Sequence, residues 1–153
     1  MLRISKLTDY ATVVLAEMAR DPDRVFTTAE LAAQTRVAAP TVSKLLKALG
    51  RDELVASFRG AHGGYQLARS PEAISVADII EAIEGPVSIT ECTRTDSQCE
   101  LEAVCSIGSN WQKINRAIQG ALEDLTLARL AEPVEPPGQQ LFDPALLRQD
   151  RRI

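Results

Sequence analysis

The region between residues 27 and 49 constrains the fold most, because it holds two helix patterns separated by only a few residues. The segment "TTAE" has the spacing of a capping box, which predicts a short helix that begins near Thr27 and carries Leu31 inward. After a brief turn, Pro40 is well placed at the first position of another helix. In that helix, apolar residues recur at i, i+3, i+4 and i+7: Val42, Leu45, Leu46 and Leu49. Two helices joined so closely indicate a helix-turn-helix.

The flanking segments extend this pattern on both sides. A first helix is predicted over residues 7–20, and its apolar stripe consists of Leu7, Tyr10, Ala11, Val14 and Met18. Residues 54–59 and 65–69 are β-prone and flank "GAHGG", whose glycines can adopt the positive φ of a hairpin tip. The sequence therefore predicts a mainly α fold with a small β-hairpin wing, which is a winged helix-turn-helix.

The opposite face of the helix after Pro40 is short, polar and basic. A helix fits the major groove of DNA, and its first residues reach the base edges. We therefore expect Thr41, Ser43 and Lys44 to face bases. Lys47 and Arg51 are expected to meet phosphates, which fix the register without reading sequence.

The hairpin adds two candidate contacts. Arg59, beside the glycine-rich tip, is placed to enter a narrowed minor groove, and His62 at the tip is either a backbone contact or a spectator. Lysines on a polar helix face are usually only solvated. The order of all these elements, rather than any one residue, indicates DNA binding.

Charge and composition set wider limits. Residues 1–72 carry ten Lys/Arg and eight Asp/Glu, a balance of +2, whereas residues 73–153 carry seven and thirteen, a balance of −6. This asymmetry permits a nucleic-acid surface in the first half without requiring one. No apolar run approaches the roughly 20 residues of a membrane span, and the first residues do not resemble a signal peptide. We therefore expect a cytoplasmic protein with reduced thiols.

The second half is expected to contain two more helices. Ser75 caps the first of them, with Asp78 three residues on, and Gly85 ends it. A long helix is predicted over residues 109–130 from heptad-like spacing of Trp111, Ile114, Ile118, Ala121, Leu125 and Ala128. Such a helix is long for so small a core, which favours a dimerisation helix over packing on its own domain alone.

Three segments follow from this organisation. We predict a DNA-binding domain over residues 1–72, a cysteine loop with dimerisation helices over residues 73–131, and a tail over residues 132–153. The tail is rich in proline, glutamine and charge, which predicts disorder.

All three cysteines, Cys92, Cys99 and Cys105, lie within fourteen residues, with the spacing C-x6-C-x5-C. An odd number cannot be used up by disulfide pairing. Structural zinc sites usually bring cysteines two to four residues apart, so zinc fits poorly. Iron–sulfur clusters tolerate wider loops, but with three cysteines a cluster needs a different fourth ligand or an open iron.

The surroundings of the cysteines bear on two other interpretations. The nearby carboxylates of Glu91, Asp96, Glu100 and Glu102 repel a thiolate, which disfavours a thiol redox switch. A plain loop in which the three residues act as small hydrophobes stays open.

Taken together, the motifs resemble the winged-helix iron–sulfur regulators of the IscR and NsrR type. The matching stretches are "KLTDYA", "RGAHGGYQLAR", "ISVADIIEAIEGP" and the cysteine loop, in that order, and they cover about residues 1–131. The first residues look most like the branch that regulates the SUF iron–sulfur assembly system. Members of this family are cytoplasmic homodimers that carry an iron–sulfur cluster.

The resemblance implies that Cys92, Cys99 and Cys105 ligate the cluster. The IscR-type histidine would fall three residues beyond the last cysteine, where this chain has Gly108. NsrR-type relatives use an aspartate of the partner's first helix, and Asp9 matches that position. A carboxylate ligand favours a four-iron cluster over a two-iron cluster. Asp9 could instead be a first-turn charge that the helix dipole favours.

The leading hypothesis is a homodimeric repressor of iron–sulfur assembly genes, which binds a palindromic DNA operator and responds to its cluster. A nitric oxide sensor of the same family and a thiol- or zinc-dependent DNA-binding regulator are the alternatives. A cluster-bearing enzyme or electron carrier is a remote one, because the sequence offers no nucleotide-binding glycine loop and no catalytic triad pattern. We expect no enzymatic activity, no small-molecule substrate and no membrane partner.

Overall fold

The computed structural model describes residues 3–94, 99 and 105–133. Its helices are α1 (Lys6–Met18), α2 (Thr28–Thr35), α3 (Ala39–Arg51), α4 (Val76–Glu84), α5 (Gly108–Glu123) and α6 (Leu127–Ala131). Its strands are β1 (Val55–Phe58) and β2 (Gly64–Leu67), and short 3-10 turns lie at Pro71–Ala73 and Glu91–Thr93. None of the described helices is long and apolar enough to cross a membrane. The tail was predicted to be disordered over residues 132–153, and residues 134–153 lie outside the described residues.

The helix-turn-helix is built from local signals. Thr27 and Glu30 form the predicted capping box, in which the Glu30 N–H donates to Thr27 Oγ1 over 3.2 Å and the Thr27 N–H donates to Glu30 Oε2 over 2.8 Å. Arg36 then turns the chain with a left-handed φ of 59°. Helix α3 begins at Ala39, one residue before Pro40. The capping box thus fixes the start of α2, and Arg36 sets the short turn between α2 and α3.

The wing is a two-stranded antiparallel hairpin in which Phe58 lies opposite Gly64. Next along β2, Tyr65 pairs with Phe26 through two backbone hydrogen bonds of 2.8 Å, which fasten the wing to the segment before α2. Gly64 is required at this crossing, because a Cβ atom there would lie 2.4 Å from the carbonyl oxygen of Phe26. The glycine therefore permits the close approach of two backbones.

One hydrophobic core joins both halves of the chain. Its fully buried members include Val14, Leu15 and Met18 of α1, the apolar stripe of α3, and Leu31, Leu54, Ile74, Ile79 and Leu127. Helix α1 contacts α2, α3, α4 and α6. The DNA-binding half and the helices after it are therefore packed around α1.

The single long helix predicted over residues 109–130 is wrong. Helix α5 ends at Glu123, and Thr126 caps a separate helix, α6, by accepting a hydrogen bond from the Arg129 N–H over 3.4 Å. Between the two helices, the chain forms an antiparallel bridge with the segment before α4: the Val76 N–H donates to Leu125 O and the Leu127 N–H donates to Ile74 O. The hydrogen bonds of the bridge and the burial of Leu127 stabilise the chain more than a continuous helix would.

Candidate DNA-binding surface and cysteine loop

The polar face of α3 carries five of the expected DNA contacts. Lys44, Lys47 and Arg51 are exposed, and Thr41 and Ser43 are half-buried near the start of the helix. The buried stripe holds the opposite face against the core, so these side chains point away from it. Short polar groups at the start of an exposed helix with cations along its length suit a helix lying in a major groove.

The wing tip presents the other two expected contacts. Arg59 and His62 are both exposed, and the loop between them is shaped by Gly60, whose φ is +109°. The Gly63 N–H closes the turn by donating to Gly60 O over 3.0 Å. Phe58, at the end of β1, is 48% exposed. The tip is therefore a compact projection that carries a cation at its base.

A groove of about 720 Å³ separates α3 from the wing. Lys47 and Arg51 line one side of it, and Tyr65 and Arg69 line the other. Arg69 was not predicted from the sequence. It lies 3.6 Å from the Asp78 carboxylate, so α4 holds this cation beside the two cations of α3. The charged residues that line the groove are three cations, Lys47, Arg51 and Arg69, and one carboxylate, Glu53, so the basic surface of the helix continues toward the wing.

Glu84, at the last residue of α4, ties that helix to the start of α1. Its Oε1 accepts hydrogen bonds from the Thr8 hydroxyl and from the Ser5 N–H, the latter over 2.9 Å. These bonds, that from Thr8 foremost, lower the pKa of Glu84 below its ordinary value. Asp9, the candidate fourth ligand, directly follows Thr8 and is exposed in the first turn of α1. The Glu84 contact therefore fixes the turn that carries Asp9.

The three cysteines follow α4 and precede α5. Cys92 lies in the 3-10 turn Glu91–Thr93, and Cys105 lies three residues before the start of α5. Cys92, Cys99 and Cys105 are all half-buried, and they form no disulfide with one another. Every thiol of the chain is thus kept in one connection between two helices.

The donor set fits an iron–sulfur cluster chemically, since thiolates are its usual ligands. Within residues 3–94, 99 and 105–133, however, no three His, Cys, Asp or Glu side chains are close enough to hold a metal ion. Of the carboxylates expected near the thiols, Glu91 is exposed and lies 3.8 Å from Arg94. Asp96, Glu100 and Glu102 lie outside the described residues. The structure therefore places the three cysteines on one segment without bringing them together.

A network of hydroxyl groups surrounds Cys92. The Ser88 hydroxyl donates to Thr90 O over 2.9 Å and lies 2.9 Å from Thr93 Oγ1. The Thr93 hydroxyl donates to the same carbonyl over 2.7 Å. The Thr90 hydroxyl lies 3.2 Å from Cys92 Sγ. The position of this sulfur is therefore tied to the backbone of residues 88–93.

Helix α5 contacts α4 and the turn Glu91–Thr93, and the amide of Asn115 hydrogen-bonds to the backbone between them. Asn115 is 7% exposed, its Oδ1 accepts from the Ile89 N–H over 3.1 Å, and its Nδ2 donates to Val87 O over 3.0 Å. Asn115 is the only buried residue of α5. Its role was not predicted, although the position of Asn115 among Trp111, Ile114 and Ile118, on the apolar side of the helix, is a signal for it.

The apolar residues of α5 and of neighbouring segments are largely exposed. Those more than a third exposed are Ile4, Val13, Ile107, Trp111, Ile114, Leu125 and Leu130. A cavity of about 900 Å³ touches this set at Ile4, and its lining also includes Ile80 of α4, Ile89, and Ile118 of α5. A helix gains most of its stability from packing an apolar face, and α5 packs none of its apolar residues fully within its own chain.

The helix-turn-helix, the wing and the basic groove define the chain as a winged-helix DNA-binding protein. A family model named Rrf2, iron-dependent transcriptional regulator, matches residues 4–133. The chain belongs to the Rrf2 family of transcriptional regulators.

Individual relatives agree with this assignment. The chain is 31% identical over 131 residues to the HTH-type transcriptional regulator CymR of Bacillus subtilis, which covers 85% of this chain and 90% of CymR. It is 28% identical over 130 residues to the protein rrf2 of Nitratidesulfovibrio vulgaris, which covers 84% of this chain and 87% of that protein.

Solved structures share the fold. The structure of CymR, the global cysteine regulator of B. subtilis, matches with a TM-score of 0.69 at 29% identity and covers 88% of this chain and 100% of CymR. T. potens IscR matches with a TM-score of 0.65 at 27% identity and covers 88% of this chain and 89% of that one. The predicted fold and the resemblance to IscR-type regulators are confirmed. Because CymR proteins are also among the relatives, the SUF branch is not distinguished.

Proposed function

We propose that the protein is a homodimeric, iron–sulfur-sensing transcriptional regulator. The observation that carries this proposal is the confinement of Cys92, Cys99 and Cys105 to the connection between α4 and α5, with none in the core. Half-buried thiols on one surface segment remain able to move together around an iron centre. The iron-dependent description of the matched family supports the same chemistry.

Three cysteines leave one ligand to be supplied. Asp9 is exposed on the first turn of α1, and in a dimer Asp9 of the partner subunit can approach the cysteine loop. A carboxylate fourth ligand favours a four-iron cluster, with a two-iron cluster as the alternative. When bound, the cluster supplies a centre that iron shortage or oxidants remove. The chain itself positions the thiolates, and the position of α5 changes when the thiolates are released from the cluster.

The dimer proposal rests on α5. This helix buries only Asn115 in its own chain and leaves Trp111 and Ile114 exposed at 37% and 44%. A two-fold pairing of α5 helices would cover these apolar groups and bring two α3 helices to one face. Two heads so arranged suit a palindromic operator.

On DNA, α3 enters the major groove. Thr41, Ser43 and Lys44 approach base edges, and Lys47 and Arg51 meet phosphates. The exposed wing tip brings Arg59 to the adjacent minor groove, and His62 touches the backbone. The protein acts in the cytoplasm and controls the genes of iron–sulfur assembly. It represses these genes while it carries the cluster, and repression ends when the cluster is lost.

Direct thiol sensing is the second candidate. No preassembled metal site exists among the described residues, and the Thr90 hydroxyl is within hydrogen-bonding distance of Cys92 Sγ. A similar structure, at 27% identity, is that of Staphylococcus aureus CymR in an oxidised form. In this version, the same loop changes through sulfur oxidation, and no iron is bound.

Anaerobic purification followed by iron, sulfide and zinc analysis separates the two candidates. The proposal expects brown protein that contains iron and sulfide in comparable amounts, and colourless protein for a variant with all three cysteines changed to serine. An Asp9→Ala variant should shift the absorption spectrum, whereas Asp23→Ala, at another exposed position, should not. Metal-free wild-type protein would favour thiol sensing, and zinc alone would favour a zinc-dependent regulator.

A further inference from the structure

We propose that Asn115 is the positioning residue that couples the cysteine loop to α5, and through α5 to the spacing of the two DNA-binding heads. This inference rests on the proposed function, because the cluster is the signal that would be transmitted. It concerns a residue that touches neither DNA nor the cysteines.

The first observation is how α5 is attached. Asn115 is the one residue of this 16-residue helix that is buried. Both ends of its amide are used: Oδ1 accepts from the Ile89 N–H over 3.1 Å and Nδ2 donates to Val87 O over 3.0 Å. A polar pair of this kind holds a definite orientation, which sliding apolar contacts do not.

The second observation is what the amide holds. Residues 87–89 connect the end of α4 to the turn that contains Cys92. On both sides of Ile89, the hydroxyl groups of Ser88, Thr90 and Thr93 form a hydrogen-bonded network that fixes the backbone. Thr90 Oγ1 lies 3.2 Å from Cys92 Sγ. Two hydrogen bonds and the peptide link between Ile89 and Thr90 therefore connect this sulfur with Asn115.

The third observation is the other end of the segment. Glu84 fastens the end of α4 to the N-terminus of α1 through Ser5 and Thr8, and α1 packs against α3. The segment between Glu84 and Cys92 is thus held to the DNA-binding half on one side and to α5 on the other. A change in the position of Cys92 would displace residues 87–89, and the hydrogen bonds of Asn115 would transmit that displacement to α5.

The test uses Asn115→Asp, which keeps the size of the side chain. Its carboxylate can still accept from the Ile89 N–H, but it cannot donate to Val87 O and would instead repel that carbonyl. Asn110→Asp is the matched control, because Asn110 lies on the same helix and is exposed. Asn115→Leu, which makes neither hydrogen bond, is a second variant in case the aspartate variant does not fold.

Two quantities are measured on the full-length protein under anaerobic conditions. One is the ratio of the affinities for the chain's promoter DNA with and without the cluster. The other is the hydrogen-exchange rate of the Ile89 amide. For Asn115→Leu, the amide should exchange on the order of tenfold faster, since its acceptor is lost. For both variants, the affinity ratio should fall close to one. The affinity of the cluster-free protein should stay within about twofold of the wild type, because Asn115 does not contact DNA.

The outcomes are separable. An affinity ratio equal to that of the wild type, in a folded Asn115→Leu variant whose Ile89 amide exchanges faster, would overturn the coupling role and leave the proposed function standing. Equal loss of affinity in the loaded and cluster-free variants would reduce Asn115 to a structural residue and overturn the inference as well. Wild-type protein without iron would refute the proposed function itself, and the coupling inference would fall with it.

Discussion

Replacing Gly64 by alanine tests how the wing is fastened to the rest of the DNA-binding half. The added Cβ would lie 2.4 Å from Phe26 O, 2.9 Å from Phe26 C and 3.0 Å from a methyl group of Val25. Ordinary contacts begin near 3.4 Å, so the two backbones must separate by roughly 1 Å, given how little a close-packed interior yields. Most of that displacement falls on the Phe26–Tyr65 bridge.

The cost follows from what the displacement breaks. Two backbone hydrogen bonds of 2.8 Å join Phe26 and Tyr65, and their loss costs about 1–3 kcal/mol in total. Partial exposure of Phe26, now 2% exposed, adds about 1 kcal/mol for some 40 Å² of ring surface. The smaller entropy of the unfolded alanine variant offsets about 0.4–1 kcal/mol. These contributions sum to about 1–4 kcal/mol, centred near about 2 kcal/mol, and for a chain of 153 residues that central value corresponds to a fall in Tm of about 4–8 °C.

Chemical denaturation followed by circular dichroism measures this change, and titration of promoter DNA measures its effect on binding. Gly50→Ala is the control, because the Cβ there would lie 3.7 Å from Val55 O, in ordinary contact, and alanine favours the helix by up to about 1 kcal/mol. Unchanged stability of Gly64→Ala, or a loss no larger than that of Gly50→Ala, would show that the Phe26 bridge does not hold the wing.

Other changes probe the packing, the charge and the DNA surface. Leu127→Ala should cost about 2–5 kcal/mol in chemical denaturation because Leu127 is fully buried, and a cost as small as that of Leu130→Ala would contradict its place in the core. Because its folded pKa is lowered, Glu84 should stabilise the protein at pH values above its ordinary pKa of 4.5, and this contribution should disappear as the pH falls through the lowered folded pKa. Glu84→Gln should therefore flatten the stability profile in that acidic range, and an unchanged profile would rule the Thr8 contact out as a stabilising one. Arg59→Ala should weaken DNA binding and reduce the slope of log affinity against log salt by about 1, whereas an unaltered slope would remove Arg59 from the phosphate and groove contacts.

The helix-turn-helix, the wing and the start of α4 could be predicted because their signals are local. The capping boxes at Thr27 and Ser75 each use two residues three positions apart, and both form as expected. The apolar stripe of α3 specifies its buried face without reference to distant residues. Glycines between two β-prone segments likewise specify the hairpin, although not the contact of Gly64 with Phe26.

The break between α5 and α6 depends on residues far away in sequence. Leu125 and Leu127 satisfy their backbone groups on Val76 and Ile74, some fifty positions earlier, and a heptad count cannot include that partner. Thr126 is the local signal that was available, since threonine is a better helix cap than an interior helix residue.

The candidate site shows the same division. The types and spacing of the cysteines are legible in the sequence, but the contact of Glu84 with Thr8 joins residues 76 positions apart. The contact of Asn115 with Val87 spans 28 positions and depends on how α5 packs. Chemistry could thus be assigned from residue types, whereas the links that hold the cysteine loop could be found only in three dimensions.

Iron bound by the cysteine loop is expected to change the affinity of the protein for DNA. The most direct measurement is the affinity of anaerobically purified protein for its own promoter DNA, determined before and after chelation of the iron in the same preparation. The affinity should fall on the order of tenfold when the iron leaves, which is within the usual range of coupling between two sites. Equal affinities before and after removal, with the iron shown to be gone, would contradict this expectation.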